Sequence, residues 1–211
     1  MNAPADLNRL AGLYRWMEWA TFGPWLSWCR ETYLDRMLSS RRALILGDGD
    51  GRFTARLLRA NRQVEIDAVD ASTAMLRALI RGAGPHAHRV RAHCADIRLW
   101  QPPNPPYDLV VAHFFLDFLT MEEVQGLAMR LQGLVTPDAH WVVSEFAIPR
   151  SRMGGAMAQP VVDGLYFGFR QLTGLAVRSL PDHRSALRGA GLELQAQRPR
   201  LGGLLVSELW A

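Results

Sequence analysis

Residues 44–53 of the chain read LILGDGDGRF, an apolar run followed by three glycines that alternate with two aspartates. The run at 43–46 is short and wholly apolar, which is typical of a strand buried in a parallel sheet. The pattern becomes helical from residue 53, so the glycines form the turn between a strand and a helix. Such a turn lets a ligand approach the backbone closely and presents free N–H groups at a helix N-terminus. This stretch therefore predicts an α/β fold with a ligand site at its first strand-to-helix turn.

The rest of the chain alternates between short apolar runs and amphipathic segments. Strands are expected at residues 43–46, 64–69, 89–94, 108–113, 140–146, 192–197 and 204–210. Helices are expected at 10–36 with a break near Gly23, and at 53–60, 72–81, 122–134 and 182–190, with a turn at 136–138. This alternation predicts a mostly parallel seven-stranded sheet with helices on both faces. Because too few residues join the last two strands for a crossover helix, they are expected to form an antiparallel C-terminal hairpin.

Length, hydrophobic content and charge limit the kinds of fold and binding partner that are expected for the chain. Its 211 residues suit one domain, and 49% of them are hydrophobic, as in a packed globular protein. The formal net charge is +4, and because the sequence contains no lysine, all 24 basic residues are arginine. These arginines are scattered rather than clustered, which disfavours nucleic acid as a partner.

Cysteine usage and hydropathy favour a cytoplasmic protein. Cys29 and Cys94 lie far apart in the sequence, so no disulfide framework is expected. The N-terminal residues lack the pattern of a signal peptide, and no apolar run reaches the roughly 18 residues of a membrane span. His86 and His88 have no carboxylate or cysteine at the spacing that would complete a metal site, so no metal is expected.

Asp70 ends the second predicted strand and strengthens the interpretation of the glycine turn. A carboxylate at this point can accept hydrogen bonds from both ribose hydroxyls of a nucleoside ligand, although an acid here can also cap a helix. The glycines follow G-x-G-x-G rather than the G-x-G-x-x-G of dinucleotide sites. Asp48 and Asp50 would repel a pyrophosphate but are compatible with a cationic sulfonium ligand, which favours S-adenosylmethionine over NAD. Two alternatives stay open, an NAD(P)-dependent oxidoreductase and a non-catalytic cofactor-binding protein.

From about residue 42 to residue 210 the chain resembles class I S-adenosylmethionine-dependent methyltransferases. The motifs that carry the resemblance are the glycine turn, Asp70 with Met75, CADI at 94–97 and YDLVVAH at 107–113. The resemblance implies a Rossmann-like three-layer α/β sandwich plus N-terminal helices, with S-adenosylhomocysteine as the product. It implies that Asp70 holds the ribose, that Met75 lies against the adenine and that Asp96 accepts from the adenine amine. The residues that it places at the cofactor are Gly47, Asp48, Gly49, Asp50, Gly51, Asp70, Ala71, Met75, Ala95, Asp96, Ile97, His113 and Phe114.

Ile45 departs from the pattern of the family. Many members carry an acid two residues before the first glycine, where it helps to hold the amino group of the cofactor. In this chain Asp48, Asp50 or a backbone carbonyl near His113 could take that role.

The expected reaction is in-line displacement of a methyl group, for which proximity and alignment supply much of the acceleration. A base is needed only where the acceptor must lose a proton. The candidates for a catalytic base are His113 and Asp117, with Glu145 at a strand end and His183 on the later helix as further titratable residues. His113 could equally be a structural residue and Asp117 a helix cap.

Two aromatic-rich segments lie outside the core pattern. We expect a single domain with an N-terminal helical region at 1–40, a cofactor-binding core at 41–148, a substrate lid at 149–177 and a C-terminal helix and hairpin at 178–211. The first and third regions carry the candidate substrate-binding residues Tyr14, Trp19, Tyr166, Phe167 and Arg170. Side chains of this kind line apolar pockets, so a small apolar or aromatic acceptor is expected. Helix packing could also account for most of them, and a homodimer is possible.

Overall fold

A computed structural model of the protein describes residues 24–147 and 181–211. Its strands are β1 (Arg42–Leu46), β2 (Glu65–Asp70), β3 (Val90–Cys94), β4 (Tyr107–His113), β5 (Val135–Phe146), β6 (Leu194–Arg200) and β7 (Leu205–Trp210). Its α-helices are α1 (Trp25–Glu31), α2 (Arg52–Ala60), α3 (Thr73–Ala83), α4 (Met121–Gln132) and α5 (His183–Gly189). Short 3₁₀ turns lie at Leu34–Met37, Gly84–Arg89, Leu116–Phe118 and Leu201–Gly203. Within these ranges no helix is both long enough and apolar enough to cross a membrane.

The strands form one seven-stranded sheet in the order β3-β2-β1-β4-β5-β7-β6. Neighbouring strands from β3 to β5 are parallel, whereas β7 is antiparallel to both β5 and β6. The predicted Rossmann-like sheet and its antiparallel C-terminal hairpin are therefore confirmed. Because β1 has β2 on one side and β4 on the other, the strand order reverses at β1, and in sheets of this kind ligands bind at the carboxyl ends of the strands at that point.

The two faces of the sheet bury separate apolar clusters. Leu44 and Leu46 of β1 contribute to the cluster that contains Leu127 of α4 and Leu187 of α5. Ile45 points to the opposite face, where it joins the cluster that includes Leu57 of α2. This alternation is that of a strand buried on both sides. It places Ile45, at 1% exposure, inside the core.

The turn predicted at residues 136–138 is wrong. β5 begins at Val135, which pairs with Tyr107, and the regular pairing with β4 resumes between Leu109 and His140. The three extra residues on β5 are taken up by a bulge-like shift in register at the start of the strand. Local turn propensity was therefore overridden by pairing with β4.

The connection between the last two strands is also shorter than expected. Pro199, predicted to lie in the loop, belongs to β6 and pairs with Val206 of β7. Proline is tolerated there because β6 is an edge strand, whose outer N–H groups have no neighbouring strand to bind.

Candidate active site

The glycine turn and the loop after β4 meet at the carboxyl edge of the sheet, where the strand order reverses. All three glycines have positive φ, at 60° for Gly47, 58° for Gly49 and 78° for Gly51. Among the residues that the structure describes, no atom lies within 4 Å of a Cβ placed at Gly49, whereas a Cβ at Gly51 would lie 2.5 Å from the Leu79 Cα. Gly51 therefore lets α3 pack directly against the turn, and Gly49 leaves an open edge that a ligand can reach.

Asp70 lies beside this open edge. Its carboxylate accepts hydrogen bonds from the backbone N–H of Ser72, at 2.7 Å, and from that of Gly49. Burial raises the pKa of Asp70 to about 6 against these two hydrogen bonds, which lower it. Ser72 caps α3 through its hydroxyl, which accepts from the Met75 N–H at 3.3 Å. Asp70 therefore links the glycine turn to the start of α3.

The two aspartates of the glycine turn make contacts within the protein. Asp48 Oδ2 accepts from the backbone N–H of Thr54 at 2.8 Å and from its hydroxyl at 2.6 Å. These bonds satisfy an N–H in the first turn of α2, and burial raises the pKa of Asp48 to about 6. Asp50 forms an ion pair with Arg52 at 2.9 Å. Both candidates for the amino group of the cofactor thus have partners from the adjoining helix.

The expected adenine side lies at the end of β3. Asp96 accepts from the backbone N–H of Arg98 at 3.0 Å and forms an ion pair with its guanidinium, and these contacts lower the pKa of Asp96. Ile97 is buried in the apolar cluster below α4, and Ala95 packs against that cluster. Met75 is half-buried on α3.

His113 ends β4 and lies under α2. Its ring makes an edge contact with Phe53 at a centroid distance of 4.6 Å, and the residue is 4% exposed. Neither ring nitrogen has a hydrogen-bond partner among the residues that the structure describes. Burial, with the nearby positive charge of Arg30, holds the pKa of His113 well below its usual value, so the ring is neutral.

Two carboxyl groups near the loop after β4 are buried, those of Asp117 and Glu145. Asp117 belongs to the 3₁₀ turn Leu116–Phe118, and Glu145 is the penultimate residue of β5. Burial raises the pKa of Asp117 to about 7. Burial also raises the pKa of Glu145, and the nearby Asp117 carboxyl raises it further. The fourth titratable candidate, His183, is 3.0 Å from the buried Glu208 and belongs to a different cluster.

Sequence reasoning missed two residues at this site. The ring of Phe115 packs on the first glycine so closely that a Cβ at Gly47 would overlap its Cδ2 atom. The Arg30 guanidinium of α1 lies 5.3 Å from the centre of the Phe114 ring. The Phe114-Phe115 pair directly after a buried strand was a visible signal, whereas nothing in the local sequence distinguishes Arg30 from the other arginines. Some predicted residues lie outside the described part of the chain, namely Tyr14, Trp19, Tyr166, Phe167 and Arg170.

Comparison with known proteins points to one family. A methyltransferase domain family matches residues 44–141. A malonyl-[acyl-carrier protein] O-methyltransferase of Halorhodospira halophila (strain DSM 244 / SL1) is 34% identical over 106 residues. That match covers 50% of this chain and 35% of the relative, so this chain aligns with about a third of its relative's length.

Solved structures share the fold. The apo form of SibL, an S-adenosylmethionine-dependent methyltransferase, superposes with a TM-score of 0.70 at 24% identity, covering 100% of this chain and 63% of SibL. The mitomycin 7-O-methyltransferase MmcR gives a TM-score of 0.66 at 18% identity, covering 89% of this chain and 54% of MmcR. At these identities the structural similarity supports the fold alone. The domain match and the curated relative are similarities of sequence. Taken together with the glycine turn, Asp70 and the strand order, these matches agree with the resemblance of the chain to class I S-adenosylmethionine-dependent methyltransferases.

Proposed function

We propose that the chain binds S-adenosylmethionine and transfers its methyl group to a small apolar or aromatic acceptor. The observation that carries this proposal is the placement of the Asp70 carboxylate beside the open edge of Gly49. Gly49 follows β1, where the strand order reverses, and Asp70 ends the adjacent strand β2; α/β sheets of this kind bind their ligands at such a reversal.

The residues present fit an adenosyl ligand. Asp70 would accept from the ribose hydroxyls, while Met75 and Ile97 would contact the adenine ring. Asp96 lies at the exposed end of the same region and would accept from the adenine amine, in exchange for part of its pairing with Arg98. Ala71 and Ala95 would complete this side of the site.

The methionine end would lie between the glycine turn and the loop after β4. Since Asp48 and Asp50 are engaged by Thr54 and Arg52, backbone carbonyl groups are the better acceptors for the amino group. Carbonyl oxygens of the glycine turn, of His113 or of Phe114 would take this role. This assignment also explains why a buried apolar Ile45 is tolerated at the position where relatives carry an acid.

When bound, S-adenosylmethionine supplies a methyl group activated by the positive charge of its sulfonium. The protein then has to align the acceptor and exclude water, which the apolar rings of Phe114 and Phe115 favour. For an acceptor that must lose a proton, Asp117 is the better base of the two candidates. Burial brings its pKa to about 7, near the operating pH, whereas His113 is held neutral with a low pKa.

The names of similar proteins support oxygen as the first acceptor atom to test. One relative is a malonyl-[acyl-carrier protein] O-methyltransferase and one structural neighbour is a mitomycin 7-O-methyltransferase. We propose that regions 1–40 and 149–177 enclose the acceptor, with Tyr14, Trp19, Tyr166, Phe167 and Arg170 as contacts.

Calorimetric titration with S-adenosylhomocysteine, NADH and buffer tests the cofactor directly. We expect heat of binding with S-adenosylhomocysteine alone, accompanied by a rise in melting temperature, since a ligand of the native state stabilises it. Binding of NADH instead would overturn the proposal in favour of an oxidoreductase. Incubation with S-adenosylmethionine and a panel of phenols, carboxylic acids and amines, read by mass spectrometry as a gain of one methyl group, then tests turnover. Cofactor binding without any methylated product across the panel would favour the non-catalytic alternative.

A further inference from the structure

Glu145 is buried in surroundings that give a charged carboxylate little support. It is 1% exposed, and Trp141 and Val143, which share its face of β5, belong to the apolar cluster below α4. A buried carboxyl group of this kind is stable only when its oxygens are hydrogen-bonded or its charge is removed. The hydrogen bonds of the Glu145 carboxyl group therefore indicate its structural role.

One oxygen of Glu145 holds two consecutive amides of the loop after β4. Its Oε1 accepts from the Phe115 N–H at 3.0 Å and from the Leu116 N–H at 2.7 Å. The preceding N–H, that of Phe114, donates to the Ser144 carbonyl at 2.6 Å. Two neighbouring residues of β5 thus bind three consecutive N–H groups at the carboxyl end of β4.

These bonds hold a strained backbone. Phe114 has a φ of 53°, a left-handed conformation that a bulky residue rarely adopts. Such a conformation persists only where surrounding contacts impose it. The bonds to Ser144 and Glu145, on either side of Phe114, supply that constraint. The result is that the Phe115 ring is directed onto Gly47, where it forms a wall of the cofactor site.

The role requires a hydrogen-bond acceptor rather than a negative charge. Burial and the nearby Asp117 carboxyl both raise the pKa of Glu145, which favours the neutral acid. The carbonyl oxygen of a neutral acid can still accept from both amides. A glutamine side chain has the same size and the same acceptor, whereas a leucine side chain has neither the oxygen nor the bonds.

We infer that Glu145 is a positioning residue, whose Oε1 fixes the loop after β4 so that Phe115 closes the methionine side of the cofactor site against Gly47. This inference rests on the proposed function, because the wall matters only if a cofactor binds there. Glu145 acts through the backbone of the loop and through Phe115, without touching the reacting atoms.

Titration of S-adenosylhomocysteine into wild type, Glu145→Gln, Glu145→Leu, Phe115→Ala and the double variant Glu145→Leu/Phe115→Ala tests the inference. We expect E145Q to bind within about threefold of wild type, and E145L and F115A each to bind about tenfold more weakly, as for a site that has lost one ordered contact. The double variant should bind no more weakly than the worse single variant, because both changes remove the same wall. Equal losses in E145Q and E145L would overturn the acceptor role, and wild-type affinity in folded E145L or in F115A would overturn the wall.

Amide hydrogen exchange provides a readout that does not depend on the cofactor. Protection of the Phe115 and Leu116 amides should persist in E145Q and fall in E145L, or in Glu145→Thr if the leucine variant does not fold. Unchanged protection in the leucine or threonine variant would overturn the positioning role by itself. If wild type shows the expected protection but binds no S-adenosylhomocysteine, the proposed function fails while the role of Glu145 in holding the loop stands.

Discussion

Gly51 packs against α3 so closely that a Cβ at this position would lie 2.5 Å from the Leu79 Cα. Gly49, two residues earlier in the same turn, has no atom of the described residues within 4 Å of where its Cβ would be. The two glycines therefore have different tasks. Gly51 joins the turn to the fold, and Gly49 leaves the edge that a ligand would occupy.

Alanine substitution at the two glycines should separate stability from binding. Both residues have positive φ, so each change costs about 1 kcal/mol in backbone strain. For a chain of this size that corresponds to a fall in melting temperature of about 2–4 °C, which we expect for Gly49→Ala. Gly51→Ala adds the clash with Leu79 and should lose roughly 3 kcal/mol or more. Differential scanning calorimetry would measure both, and equal losses in the two variants would contradict this assignment.

Gly49→Ala should in addition weaken binding of S-adenosylhomocysteine, since its new methyl group projects into the open edge beside Asp70. Calorimetric titration of the folded variant would measure the change. Wild-type affinity in Gly49→Ala would show that this edge is not where the cofactor lies.

Asp70→Asn should weaken cofactor binding without weakening the fold. Loss of a charged acceptor for the ribose should raise the Kd for S-adenosylhomocysteine about 10- to 100-fold. Burial raises the pKa of Asp70 from 3.8 to about 6. At about pH 8 the ionised carboxylate is therefore less stable in the folded protein than in the unfolded chain, which lowers the free energy of unfolding. The melting temperature of the free variant should therefore equal or exceed that of wild type. Asp138→Asn, on the exposed start of β5, is the matched control; equal effects of the two changes on affinity would rule out a specific role for Asp70.

Asp117→Asn should stabilise the protein only at higher pH. Burial raises the pKa of Asp117 from 3.8 to about 7 in the folded protein, so the folded state binds the proton more tightly than the unfolded chain does. Wild-type stability from this group is then full below about pH 4 and is lost as the pH rises through about 7. The difference in melting temperature between Asp117→Asn and wild type should grow over that window and level off above it. Melting curves from pH 4 to about 9 would show this, and a pH-independent difference would mean that Asp117 is not buried as described.

His113 should remain neutral in the range where an ordinary histidine titrates. Burial and the charge of Arg30 lower the pKa of its ring well below 6.5. Its imidazole resonances, assigned by their absence in His113→Asn, should show no titration between about pH 6 and 8 in a ¹H–¹³C spectrum. A midpoint near 6.5 would restore His113 as a candidate base and place the ring in a more polar environment than the structure gives it.

The local sequence pattern was sufficient to predict those features that depend on residues close together in the sequence. The apolar run before Gly47 and the acid at Asp70 lie in two consecutive strand-turn-helix units, and the structure forms both units as expected. The predicted turn at 136–138 failed because Val135 pairs with Tyr107, 28 residues away in sequence. Turn propensity is a weak local preference, and ladder hydrogen bonds to a neighbouring strand outweigh it.

By itself, the sequence determined the α/β alternation, the glycine turn and the identity of the acid that ends β2. Each of these features depends on the type and spacing of residues that are close together in the sequence. Only the tertiary structure decided that the Glu145 carboxyl binds the Phe115 amide, 30 residues away in sequence, and that Leu79 packs on Gly51. Such contacts depend on which strands become neighbours and on which face each side chain then points to. Hydrophobic burial and sheet pairing settle both over the whole chain at once, so no short stretch of sequence records them.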